Sequence, residues 1–212
     1  MALSVLTLAS RTGKAPAGIL VALHGWGSNA EDLASLAPYL GLEDYQVLCP
    51  RAPFPHPQVP GGYMWYDLGT QAGLTESRQQ LLAWLQSLPS QTGIPLSRLV
   101  LLGFSQGGAM TLEVGLQLPL AGLICLSGYL HGLQESGGTH PAPPVLMVHG
   151  QQDPVVPLSA AQTAYQALRQ AGISVEYHEL PMAHEISPSV FALIRNFVLA
   201  LPTDDSLLET AP

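Results

Sequence analysis

With 212 residues, 47% of them apolar and 10% charged, the chain has the length and composition of one globular core, since single cores run to roughly 250 residues before splitting. A formal net charge of −8, with only seven lysines and arginines, leaves no basic patch for nucleic acid or an anionic membrane surface. Cys49 and Cys125 each end an apolar run and read as inert core thiols, with no paired Cys/His spacing for a metal.

No N-terminal charged region followed by an apolar stretch marks a signal peptide, and no apolar run approaches the roughly 18 residues of a membrane span. The expectation is a cytoplasmic chain without stable membrane insertion; no feature of the residues fixes an oligomeric state. Ser4 to Ala9 alternates weakly, as an edge strand would, and Ile19 to Leu23 is a stronger buried strand running into the glycine-rich turn His24-Gly25-Trp26-Gly27. Ser28 and Glu31 have capping-box spacing, which predicts a helix from Asn29 to Leu40. Tyr45 to Cys49 is the next strand, stopped by Pro50. Arg51 to Thr75, rich in proline and glycine, is a long ordered loop, and long loops in compact domains usually carry function.

Glu76 to Leu88 places Leu81, Leu82, Trp84, Leu85 and Leu88 at helical spacing. Leu99 to Leu102 reads as a buried strand and Ala109 to Leu118 as an amphipathic helix. Ala121 to Leu126 is another strand, and Ser127 to Pro144 a second irregular loop. Val145 to Val148 is a strand, Ser159 and Gln162 predict a capped helix to Ala171 ended by Gly172, and Ser174 to Leu180 is the last strand. Ser187-Pro188 opens a final helix to Leu201, and Pro202 to Pro212 is a polar tail expected to fray. Strands alternating with helices imply a single α/β domain over 1–212, with a mostly parallel sheet and helices on both faces.

Gly103-Phe104-Ser105-Gln106-Gly107 lies between a strand and a helix, which is the context the G-x-S-x-G nucleophile turn requires. The glycines let the strand reverse sharply and lift the Ser105 hydroxyl above the sheet, and the free N–H groups at the helix start favour negative charge there. The N–H of Gln106 is therefore a ready oxyanion donor. A serine hydroxyl needs a base within hydrogen-bond reach and a carboxylate to orient that base. In parallel α/β folds sites form at the carboxyl ends of strands. Asp153 follows the Val145 to Val148 strand and His184 follows the Ser174 to Leu180 strand, which selects Ser105, Asp153 and His184 in chain order. His56, His131 and His140 lack a strand-end setting, His178 lies within a strand, and His24 and His149 are placed to bond backbone. Asp44 and Asp67 precede the serine. The second oxyanion donor is expected from the turn after the Ile19 to Leu23 strand, at the N–H of Trp26.

Taken together, Leu23-His24-Gly25-Trp26-Gly27, Arg51-Ala52-Pro53, Met64-Trp65-Tyr66-Asp67, Gly103 to Ala109, His149-Gly150 with Asp153 to Pro157, and Ala183-His184-Glu185-Ile186 resemble the phospholipase/carboxylesterase family, which includes bacterial carboxylesterases and acyl-protein thioesterases. The resemblance spans nearly the whole chain. It implies an α/β-hydrolase fold with little or no cap domain, puts Ser105, Asp153 and His184 on catalytic positions, and supports Trp26 and Gln106 as oxyanion donors. Two departures are Trp26, where eukaryotic thioesterases of the family commonly carry leucine, and Ala183, where glycine is common.

The expectation is hydrolysis of carboxylic esters or thioesters of short to medium acyl groups through an acyl-enzyme, with no metal or cofactor required. The substrate is a small-molecule or lipid-like acyl ester. An acyltransferase or a peptidase would use the same triad, and a non-catalytic relative would act as a binding module. The two irregular loops carry many large apolar side chains, of which Trp65, Tyr66, Tyr129 and Leu130 are the candidate walls for the acyl group.

Overall fold

The computed structural model describes residues 3–133 and 140–202. The expected tail beyond Pro202 and the middle of the 127–144 loop lie outside the described residues. Seven strands, β1 (Val5–Leu8), β2 (Gly18–Leu23), β3 (Tyr45–Pro50), β6 (Leu99–Phe104), β7 (Gly122–Leu126), β8 (Val145–Gly150) and β9 (Val175–Leu180), form one sheet in the order β1-β3-β2-β6-β7-β8-β9. Only β1 runs antiparallel, against β3, and every other pairing is parallel. β4 (Phe54–Pro55) and β5 (Tyr63–Met64) make a small separate ladder inside the 51–73 loop.

β2, β6 and β7 are apolar at every position because both sheet faces are covered, and successive side chains serve two cores. Ile19, Val21 and Leu23 of β2 with Leu99 and Leu101 of β6 pack under α2 (Leu74–Thr92), α3 (Gln106–Gly115) and α4 (Leu158–Gln170). Leu20, Ala22, Val100 and Leu102 point the other way, under α1 (Ala30–Ala34) and α5 (Pro188–Ala200). This is the α/β-hydrolase layering, and it brings the loops after β2, β6, β7, β8 and β9 to one end of the sheet.

Several local expectations are corrected. The first helix is one short turn, Ala30–Ala34, followed by a 3-10 turn at Ala37–Tyr39, because Pro38 cannot supply a helical N–H. Its cap is Asn29, whose side chain accepts from the Asp32 N–H at 3.0 Å, while the Ser28 hydroxyl donates to the Asp32 carboxylate. α2 passes through Pro89 to Thr92: the ring forfeits one bond near the helix end, and Gly93 at φ +73 closes it with its N–H on the Pro89 carbonyl. α4 starts after Pro157 with no side-chain cap, so Ser159 lies inside the helix. α3 is buried at all ten positions and is not amphipathic, because it packs between β6, β7 and α2.

The close approach of α3 to the sheet rests on glycine. A Cβ on Gly107 would lie 2.1 Å from the Leu23 carbonyl oxygen and 2.7 Å from that of His24, both backbone atoms. Gly107→Ala should therefore force the helix off the sheet, with an expected cost of about 3 kcal/mol or more. Denaturant unfolding measures it; a variant within about 0.5 kcal/mol of the parent would contradict this packing.

Candidate active site

β6 ends at Phe104 and α3 begins at Gln106, so Ser105 alone makes the turn between them. Its backbone stands at φ +55, ψ −119, a conformation side chains rarely adopt and one that costs about 1–3 kcal/mol. The Ser105 N–H donates to the Leu126 carbonyl at 2.8 Å, which ties the turn to the neighbouring strand.

His184 lies on the loop after β9. Its Nδ1 is 2.7 Å from Asp153 Oδ2 and its Nε2 is 2.9 Å from Ser105 Oγ. An ionised carboxylate only accepts, so Nδ1 carries the hydrogen and Nε2 is left to accept from the Ser105 hydroxyl. The imidazole packs against the Phe104 ring at 4.8 Å between centroids. The loop bearing it crosses the end of β8 closely, since a Cβ on Gly150 would lie 2.3 Å from the Ala183 carbonyl oxygen. Asp153, whose side chain is fully buried, also accepts from the N–H groups of Val155 and Val156 at 2.8 and 2.9 Å. Burial would raise its carboxyl pKa; the bond from His184 and the two N–H groups outweigh that and hold it below the ordinary value.

The turn after β2 lies against the serine: a Cβ on Gly25 would be 3.4 Å from Ser105 Cβ. Trp26 stands at this turn with its indole 41% exposed, in edge contact with His56 at 4.0 Å. Gln106 opens α3, so its N–H has no carbonyl within the helix. The turn is anchored by His24, whose Nδ1 donates to the Gly25 carbonyl and whose Nε2 accepts from the Ala52 N–H at 3.0 Å. Burial lowers the His24 pKa and keeps it neutral, as this double role requires. The Gly27 N–H donates to Tyr63 O, and the Tyr63 N–H to Ser28 O, which stitches the small β4–β5 ladder to the same turn.

Of the candidate walls, Trp65 and Tyr66 are corrected. Both are fully buried, at 0% and 1% exposure. The Trp65 indole N–H donates to the His24 carbonyl at 2.9 Å, and the Ser77 hydroxyl to the Trp65 carbonyl. These side chains pin the 51–73 loop to the domain, Trp65 through the His24 carbonyl and Tyr66 through the side chains of Tyr129 and His131. Tyr129 and Leu130 do border a cavity of about 610 Å³, together with Leu133, Val156, Ala160 and Ala164. Val155 and Val156 belong both to that cavity and to the turn that holds Asp153.

One contributor escaped the reading of the residues, and a second, His149, bonds backbone as its place before a strand-end glycine suggests. The Gln106 side chain accepts from the Trp65 N–H and donates to the Tyr66 carbonyl, each at 2.8 Å, joining the nucleophile helix to the loop above it. His149 donates from Nε2 to the Val156 carbonyl at 2.9 Å and steadies the Asp153 turn. For Gln106, a residue between motif glycines carries no signal for a partner 41 residues away; only the rule that buried polar groups are paired points to it. Among the described residues no three His, Cys, Asp or Glu side chains converge as a metal-binding group. No described helix is long and apolar enough to cross a membrane.

A serine turn at a helix start, backed by imidazole and carboxylate on an α/β-hydrolase sheet, defines the class of serine hydrolases, and the chain is an enzyme of that class. Residues 9–201 match the family model described as Phospholipase/Carboxylesterase, so the chain belongs to that family. Among curated relatives, acyl-protein thioesterase 1 of Neurospora crassa is 31% identical over 82% of this chain and 80% of its own length. Lysophospholipase-like protein 1 of Mus musculus is 26% identical over 90% and 89%. Among solved structures, esterase PE8 superposes with a TM-score of 0.86 at 31% identity, covering 95% of this chain and all of that one.

The depressed Asp153 carboxyl means that the native state binds fewer protons than the unfolded chain near pH 4. Its contribution to stability is present above the ordinary pKa of 3.8 and is lost as the pH falls through the lower native value. Asp153→Asn should therefore lose less stability than the parent between about pH 5 and about pH 2.5, as read by denaturant midpoints. Equal losses in the two proteins would contradict this linkage.

Proposed function

We propose that the chain hydrolyses carboxylic esters and thioesters of short to medium acyl groups through an acyl-enzyme. The observation that carries this reading is the hydrogen-bonded series Ser105–His184–Asp153, at 2.9 and 2.7 Å, on a strained turn at the start of a buried helix. Ser105 Oγ attacks the acyl carbonyl while His184 Nε2 takes its proton. The carbonyl oxygen, now an oxyanion, is held by the backbone N–H groups of Trp26 and Gln106, each such donor being worth about 3 kcal/mol. His184 passes the proton to the departing alcohol or thiol, Asp153 stabilising the imidazolium between the two transfers. Water, deprotonated by the same imidazole, then attacks the acyl-serine, and the imidazolium returns the proton to Ser105 Oγ as the acid leaves.

The two faces of the sheet suggest where each half of the substrate lies. His184 packs against Phe104, which lies on the α1–α5 face, so the leaving group, which must receive its proton, departs on that side. The cavity bordered by Tyr129, Leu130 and α4 opens on the α2–α4 face and is lined chiefly by apolar side chains, which suits the acyl chain. The names of the relatives, acyl-protein thioesterase and esterase, support the thioester and ester readings alike.

Ser105→Ala should lower kcat for a p-nitrophenyl ester by about a thousandfold or more while leaving the unfolding midpoint near the parent value. His184→Ala should lose a comparable amount. Activity within about tenfold of the parent in either variant would overturn the assignment.

A further inference from the structure

α3 carries a single charged side chain, Glu113, and it is almost wholly buried. A buried carboxylate is costly unless paired, and neither the Ser105 chemistry nor the packing of an otherwise uncharged helix calls for one. Its Oε1 accepts from Arg78 Nη1 of α2 at 3.0 Å. Its Oε2 lies 3.4 Å from Nδ1 of His131, an ion-pair approach in which neither atom makes a hydrogen bond. His131, with Arg78 behind it, holds the Glu113 carboxyl below the ordinary range against the opposing effect of burial. On its far side, His131 Nε2 lies 2.9 Å from the Tyr66 hydroxyl, which in turn meets the Tyr129 hydroxyl. The His131 ring contacts both phenol rings edge-on, at 5.2 and 5.4 Å.

The Tyr129 hydroxyl is thus engaged by the hydroxyl of Tyr66, a fully buried side chain. The same contacts fasten residues 129–131 to the nucleophile helix, and with them Leu130 on the cavity wall.

We propose that Glu113 and His131 are positioning residues for acyl selectivity. Through Tyr66 they hold the 129–131 segment on α3 and keep the Tyr129 hydroxyl directed away from the cavity, so that the cavity presents an apolar wall to the acyl chain. This rests on the ester-hydrolase reading above.

The test compares the full chain with Glu113→Leu and Glu113→Gln on p-nitrophenyl esters from acetate to octanoate. In Glu113→Leu the ratio of kcat/KM for octanoate to that for acetate should fall about tenfold, chiefly through KM, the scale on which an apolar pocket discriminates. Glu113→Gln keeps an amide oxygen for His131 and should restore most of the ratio. An unchanged ratio, with both rates intact or falling together, is what a merely structural role would give and overturns the proposal. Should Glu113→Leu fail to fold, Tyr66→Phe breaks the series without uncovering a charge; the same shift supports the proposal and an unchanged chain-length profile overturns it. Labelling by a fluorophosphonate is read alongside. A parent chain that neither labels nor hydrolyses esters overturns the hydrolase reading, whereas normal labelling with an unaltered ratio in the variants overturns only the role of Glu113 and His131.

Discussion

Everything at the active end of this sheet depends on a backbone conformation at Ser105 that an ordinary strand-to-helix connection would avoid. A positive φ on a serine persists only where the surroundings leave no relaxed alternative. Here the surroundings are backbone atoms: a Cβ on Gly103 would lie 2.1 Å from the Gly107 carbonyl oxygen, and one on Gly107 equally close to that of Leu23. The strand before the serine, the helix after it and the neighbouring strand are thus drawn into contact with no side chain between them. That contact aims the hydroxyl outward and brings the turn after β2 against the serine. It also leaves α3 buried throughout, with its N-terminus beside Ser105.

A turn held so tightly is useful only if the loops around it are equally fixed, and the structure achieves this with buried polar side chains spent on backbone. His24 bridges the β2 turn to Ala52, Gln106 bridges α3 to Trp65 and Tyr66, and His149 bridges β8 to Val156. Each replaces the water its backbone partner would otherwise need, and each has little freedom to move without leaving that partner unpaired. On the proposed function the scaffold is preorganised: the donors and the base are in place before a substrate arrives, which is where electrostatic catalysis draws its advantage. Cys49 and Cys125 take no part, because burial pushes both thiols up to about 12.

The elements that were legible from the residues are those set by local chemistry. Apolar runs marked every central strand, Ser187-Pro188 marked the start of α5, and the order of Ser105, Asp153 and His184 at successive strand ends selected three residues that the fold brings within hydrogen-bond distance. The errors share one cause, tertiary context overriding a local pattern. Trp65 and Tyr66 looked like pocket walls because large aromatics in a loop are unusual, yet their backbone and polar atoms serve as struts. Ser28 and Ser159 have capping spacing but are displaced by Asn29 and Pro157, and Pro89 does not end α2 because its lost bond falls in the last turn. Glu113 gave no sign of its partners, since the His131 it faces comes from a loop with no periodicity to read.

The central claim is that Ser105 is the nucleophile, made reactive by His184. Peptide mapping by mass spectrometry after reaction with a fluorophosphonate tests it most directly, because the reagent forms a stable bond only with a hydroxyl that is already activated. The account predicts one phosphonyl group per chain, on Ser105, and its absence from His184→Ala treated in the same way. An adduct on another residue, or equal labelling of Ser105 when His184 is missing, would contradict it.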